Sequence, residues 1–125
     1  MPYIKADDGR RVALRNGEPA LTAGELNYQI FYYIKHYSKD YCVLDIDINV
    51  EKEIYKFIQN FLGSNPNYQK YNDITGVLIR CKKELVRKLN IPIEYLGIFD
   101  WILESFDDEI ARYEDKKIKE NGDVE

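Results

Sequence analysis

Apolar residues recur at helical spacing in four separate stretches of the 125-residue chain. In the first, Leu26, Ile30, Tyr33, Ile34 and Tyr37 follow one another at intervals of four, three, one and three, which places them on one side of a helix. Thr22-Ala23-Gly24-Glu25 precedes them in the form of a capping box, with Thr22 as N-cap and Glu25 reaching back, so the predicted helix covers 22–38. Phe31 and Tyr32 widen its apolar surface, which suits a helix touching two neighbours.

The second stretch carries Val50, Ile54, Phe57, Ile58, Phe61 and Leu62, with Asn49 or Asp47 available as a cap and Gly63 where a left-handed terminating residue belongs. It predicts a helix over 50–62. The third presents Ile74, Leu78, Cys81, Leu85 and Leu89 over 72–89 and stops by Asn90, because Pro92 disfavours helical geometry at Ile91. The fourth, over about 94–112, has Leu96, Phe99, Ile102, Leu103, Phe106 and Ile110 as its apolar face. Between the first two helices, Tyr41 to Ile48 alternates around Asp45 and Asp47. With no second strand to pair with, it reads as an extended loop.

Four helices with short connections give an all-α fold, a four-helix-bundle-like single domain over 1–125. Residues 1–21, punctuated by Gly9, Gly17 and Pro19, read as an irregular arm with a short turn of structure around Arg11 to Leu14. Residues 22–113 form the helical core, and 114–125 a charged tail. Gly24 and Gly76 are isolated glycines inside helical patterns, an arrangement that usually marks close helix approach.

Composition narrows the function classes. The chain is 45% hydrophobic and 32% charged, which is globular. It has no apolar run near the ~18 residues of a membrane-spanning helix, and its first eight residues lack the apolar stretch of a secretory signal, so a cytoplasmic location without membrane attachment is expected. A net charge of −4 argues against broad nucleic-acid coating, though not against one local basic patch. Two cysteines, Cys42 and Cys81, are too few for a disulfide framework or a zinc knuckle, and Cys81 falls on a core face. The eleven tyrosines could stack on bases, but Ile, Lys and Asn are abundant too, as in any chain encoded by an AT-rich genome.

Candidate chemistry is sparse. His36 is the only histidine, which excludes a multi-histidine metal site within one chain and reads as a solvated residue. Asp107, Asp108 and Glu109 are consecutive and point in different directions, whereas Glu104 and Asp108 share a face and would suit Mg²⁺ with a phosphate ligand, the plainer reading being a solvated acidic face. Arg80, Lys83 and Arg87 form one basic stripe opposite Leu78, Cys81, Leu85 and Leu89. A solvent face is the plain reading. The functional alternative is an anion clamp in which guanidinium groups fork onto phosphate oxygens. No phosphate-cradling glycine loop, nucleophile elbow or zinc motif is present, so neither catalytic nor metal-binding residues are assigned and no cofactor is expected.

Several tracts carry a family resemblance: the opening Met1-Pro2-Tyr3-Ile4-Lys5, Gly24-Glu25-Leu26-Asn27-Tyr28, Tyr71-Asn72-Asp73-Ile74-Thr75-Gly76-Val77-Leu78, and the run from Tyr113 to Val124. Together they resemble an uncharacterised family of small proteins of bacteria, archaea and their phages, whose members begin MPYIK and end close to YEDKKIxENGDVY. Against that pattern Ile91 to Arg112, and much of Tyr41 to Pro66, look inserted, and the chain ends on Glu125 where the pattern has tyrosine. The resemblance implies no activity, but it implies that the charged tail makes contacts within or between subunits, which makes Tyr113, able to stack on a base, and Lys117, a further cation, the expected companions of the Arg80, Lys83 and Arg87 clamp.

These readings converge on a homo-oligomeric binding module without catalysis, in its sharpest form a phage-type protein that sequesters a small anionic signal such as a nucleotide. The competing expectations are a structural or protein-interaction factor without a small ligand, and a carboxylate- and metal-dependent enzyme.

Overall fold

The computed structural model describes residues 9–37 and 48–122. The loop expected from Tyr41 up to Ile48, the possible Asp47 cap, Cys42 and the opening five residues lie outside the described residues, apart from Ile48 itself. Among the described residues five α-helices follow in order: α1 over Gly9–Arg15, α2 over Ala23–Tyr37, α3 over Ile48–Leu62, α4 over Tyr68–Leu89 and α5 over Gly97–Asn121. A 3₁₀ turn over Ile93–Leu96 leads into α5, and there is no strand among the described residues. The fold is all-α. No described helix is long and apolar enough to cross a membrane.

The long helices arise where the apolar stripes lie, and their ends follow local chemistry. Thr22 caps α2 by accepting from the Glu25 backbone N–H at 3.1 Å, and the Glu25 carboxylate accepts from the Leu21 N–H at 2.9 Å. Helix α3 starts at Ile48, so Asn49 lies inside the helix rather than capping it. Gly63 adopts the left-handed conformation expected after its last turn (φ 64°). Helix α4 begins four residues earlier than its stripe implies, because the Asn67 side chain accepts from the Lys70 N–H at 2.9 Å and opens a further turn. At its far end Asn90 is left-handed (φ 56°), and the Ile91 N–H closes back onto the Leu85 carbonyl at 3.4 Å.

Helix α4 occupies the middle of the fold, packing on α2, α3 and α5. Its Ile74, Leu78, Cys81 and Leu85 are fully buried, against Leu26, Ile30 and Ile34 of α2, Ile54 and Ile58 of α3, and Phe99 and Ile102 of α5. Helices α4 and α5 run antiparallel: Lys82 pairs with Asp100 at 2.8 Å, while Tyr71 meets Phe106 and Tyr113 with ring centroids 6.0 and 5.0 Å apart.

Both ends differ from their sequence reading. Within the expected arm, the short turn of structure around Arg11 to Leu14 is present as α1, but it does not hang free: it docks on α2. Leu14 enters the core. The Arg10 guanidinium forks onto Glu25 at 2.7 and 3.1 Å and also donates to the Pro19 carbonyl at 3.2 Å. That fork, rather than reciprocal capping alone, is what engages the Glu25 carboxylate and holds its pKa below the usual value. Gly17, at φ 90°, turns the chain after α1. The expected tail is helical as far as Asn121, because no glycine or proline lies between Gly97 and Gly122, and Lys117 and Glu120 pair one turn apart at 3.4 Å. Within the chain its contacts stop early. Tyr68 donates to Glu114 at 3.1 Å, and every described residue beyond it is exposed.

Candidate functional site

Ala23, Gly24 and Asn27 on α2 face a stripe on α4 made by Asn72, Asp73, Gly76, Val77 and Arg80, which recur about every four residues. Between them lies an open cleft of about 240 Å³. Its walls come from the tracts at 24–28 and 71–78, far apart in sequence and brought face to face by the packing of α2 on α4.

Gly24 and Asn27 are buried, whereas Gly76 is exposed. A Cβ placed on Gly76 would meet nothing within 4 Å, so this glycine does not mark a close approach of helices, contrary to expectation. A mid-helix glycine costs roughly 0.5–1 kcal/mol relative to alanine, and no close neighbour in the described fold accounts for that cost. The polar groups differ along the cleft. Asp73 accepts from Gln69 at 2.9 Å, Asn27 and Asn72 supply amides, and Arg80 lies exposed without an ion-pair partner among the described residues. The arrangement offers the Arg80 guanidinium and the exposed Asn72 amide to a small polar ligand. It contains no nucleophile–base pair.

The residues singled out from sequence fall into separate places. Arg80 lines the cleft. Lys83 lines a different groove of about 320 Å³ between α4 and α5, beside Ile79, Val86, Ile93 and Leu103. Arg87 is exposed two turns beyond Arg80. Among the described residues Lys82 pairs with Asp100 and Lys88 with Glu84 at 3.9 Å, but Arg80, Lys83 and Arg87 pair with no carboxylate. Tyr113 packs half-buried on Tyr71, with Lys117 over its ring at 5.7 Å. At about 1.5 Å per residue, Tyr71 is roughly 13 Å along α4 from Arg80 and farther still from Arg87, so Tyr113 and Lys117 do not join the stripe. Glu104 and Asp108 are exposed on α5, and no three His, Cys, Asp or Glu side chains among the described residues are grouped to hold a metal. Cys81 is fully buried, and burial, with Glu84 nearby, pushes its thiol pKa far up.

A second concavity escaped the sequence reading. On α2, Tyr28, Tyr32 and His36 are spaced by four and form a ladder, with ring centroids 5.9 and 4.2 Å apart. From α1, Arg15 donates to the Tyr28 hydroxyl at 2.8 Å and lies 4.7 Å over the Tyr32 ring, while Arg11 lies 5.4 Å over Tyr28. His36 is exposed, as expected, yet stacked. The four-residue spacing of these aromatics and of Arg11 and Arg15 was the available signal. Spacing alone does not set these arginines beside those rings, because the contact depends on how α1 packs on α2.

The chain is an all-α fold with an open cleft between α2 and α4. The chain belongs to the family described as Domain of unknown function (DUF6899), whose profile matches residues 1–100. The match takes in both walls of the α2–α4 cleft and ends near the start of α5, short of the Tyr113–Val124 tract. No curated protein and no solved structure matches the chain.

Proposed function

We propose that this protein is a non-catalytic, homo-oligomeric binding module whose α2–α4 cleft holds a small anionic, nucleotide-like ligand, with Arg80 as the anchoring cation. The observation that carries the reading is the convergence of the 24–28 and 71–78 tracts on one open cleft, where Gly76 leaves room that the described fold does not use. In its sharpest form the protein is a phage-type, cytoplasmic factor that sequesters a nucleotide signal. Lys83 and Arg87 extend the positive field on the same helix, and Tyr113 and Lys117 contribute only if a second subunit brings them near. Self-association is favoured by Trp101 and Ile93, which are 68% and 62% exposed at the start of α5 and just before it.

Calorimetric titration with cyclic dinucleotides and ADP-ribose derivatives tests the reading. A charge-assisted contact is worth about 1.5–3 kcal/mol, so Arg80→Ala should weaken binding by roughly ten- to a hundredfold. Gly76→Val should abolish binding by filling the cleft, and Gly76→Ala should raise stability by about 0.5–1 kcal/mol while weakening binding. Silence across the panel would instead favour a protein-interaction factor, the reading that the exposed Trp101 supports independently. Scattering that returned a 14.8 kDa monomer at micromolar concentration would remove the oligomer.

A further inference from the structure

The pocket between α1, α2 and α3 is separate from the α2–α4 cleft. It measures about 220 Å³, with Gln29 on its buried side, Tyr32, Tyr33 and Phe57 as aromatic lining, and Arg15 and His36 exposed at its mouth. Tyr32 and His36 stack on one another at 4.2 Å, and Tyr33 meets Phe57 edge-on at 5.7 Å.

Gln29 gives this pocket its chemistry. Its side chain is buried, at 3% exposure, and its amide nitrogen donates to two carbonyls, those of Leu14 and Glu18, both at 2.9 Å. Two acceptors on that side fix the amide orientation, because the flipped form would set oxygen against oxygen. The carbonyl oxygen Oε1 is therefore turned away from them, and it finds no donor among the described residues. A buried acceptor held this way calls for an N–H or O–H from outside. The aromatic lining favours a flat ring as the carrier of that donor. The Arg15 guanidinium, with Arg11 behind it over Tyr28, sets the charge of the group that remains at the mouth as negative.

From this combination we infer that the α1–α2–α3 pocket is a second ligand site, one that takes a mononucleotide by accepting an N–H of the base at Gln29 Oε1, enclosing the ring among Tyr32, Tyr33 and Phe57, and pairing the phosphate with Arg15. The chain's net charge of −4 favours a single nucleotide over a long strand, whose many phosphates need a broader positive surface.

Adenosine 5′-monophosphate, titrated into the full ¹⁵N-labelled chain, tests this by nuclear magnetic resonance. The expected result is a saturable shift of the Gln29 side-chain amide and the Arg15 Nε–H. Binding should weaken about tenfold or more in Tyr32→Ala and in Arg15→Ala, and also in the surface variant His36→Ala, with each fold checked by circular dichroism. Ribose 5-phosphate should bind far more weakly for want of the ring, and adenosine for want of the phosphate. No shift at Gln29 or Arg15 up to millimolar nucleotide overturns the site. So do shifts confined to Gly76 and Arg80, which would place the ligand in the other cleft and leave the proposed function standing. Equal affinity for ribose 5-phosphate overturns the base recognition, and tighter binding of a single-stranded oligonucleotide overturns the choice of a mononucleotide.

Discussion

The two ends of the described chain are both short helical extensions, and they are held in opposite ways. Helix α1 has only seven residues, too few to be stable alone, yet it is fastened to α2 by Leu14, by the Arg10–Glu25 fork and by Gln29. The last two turns of α5 continue a long helix and touch almost nothing among the described residues: Ile118, the apolar residue there, is 40% exposed, against 1% for Leu14. One end is helical because tertiary contacts make it so, and the other because its residues favour the helix it extends. The docked end consequently shapes a pocket, whereas the other end makes no pocket with the described residues.

The largest effect should come from removing the core anchor of α1. Leu14→Ala should cost about 2–5 kcal/mol in denaturant unfolding, as buried leucine truncations do. It should also expose the 9–21 segment to protease and open the Gln29 pocket. A loss below about 1 kcal/mol, the typical size of an ordinary point mutation, would mean that α1 is tethered only by its polar contacts.

Next in size is the Arg10–Glu25 fork. Glu25→Gln should cost about 1–2 kcal/mol, more than an exposed pair because the contact is bidentate and part-buried. The hydrogen bond from Arg10 lowers the folded-state pKa of Glu25 from its ordinary value near 4.5. The stability it supplies is thus fully present above about pH 4.5 and is lost as pH falls through the lowered folded value. Amide exchange across α1 should follow that titration in the wild type and be insensitive to it in Glu25→Gln. A wild-type profile as flat as the variant's would exclude the fork as the fastening.

The smallest effect should be at the other end. Deleting residues 115–125 should change the stability of an isolated subunit by no more than about 0.5 kcal/mol, the usual range for exposed positions. A loss above ~1 kcal/mol, or a change in subunit number, would show that this end is held by contacts between copies, and the contrast between the ends would then exist only within one subunit.

Much of the fold is legible in the sequence because it is set by short-range rules. The apolar spacing located all four long helices, and Gly63 and the Asn90–Pro92 stretch stop α3 and α4 where backbone sterics require. Arg80 could be singled out as an anion-binding candidate because its exposed side of α4 follows from the position of the buried one. Tertiary structure decided the rest. Helix α1 carries one core residue, so no periodic stripe announces it, and its helix exists only against α2. That Asn27 faces Gly76 across a cleft, and that Gln29 reaches the Leu14 and Glu18 carbonyls, depends on how elements distant in sequence pack. Periodicity states which side of a helix turns inward. It carries no information on which residues of another helix lie opposite, because that depends on packing between segments far apart in the chain.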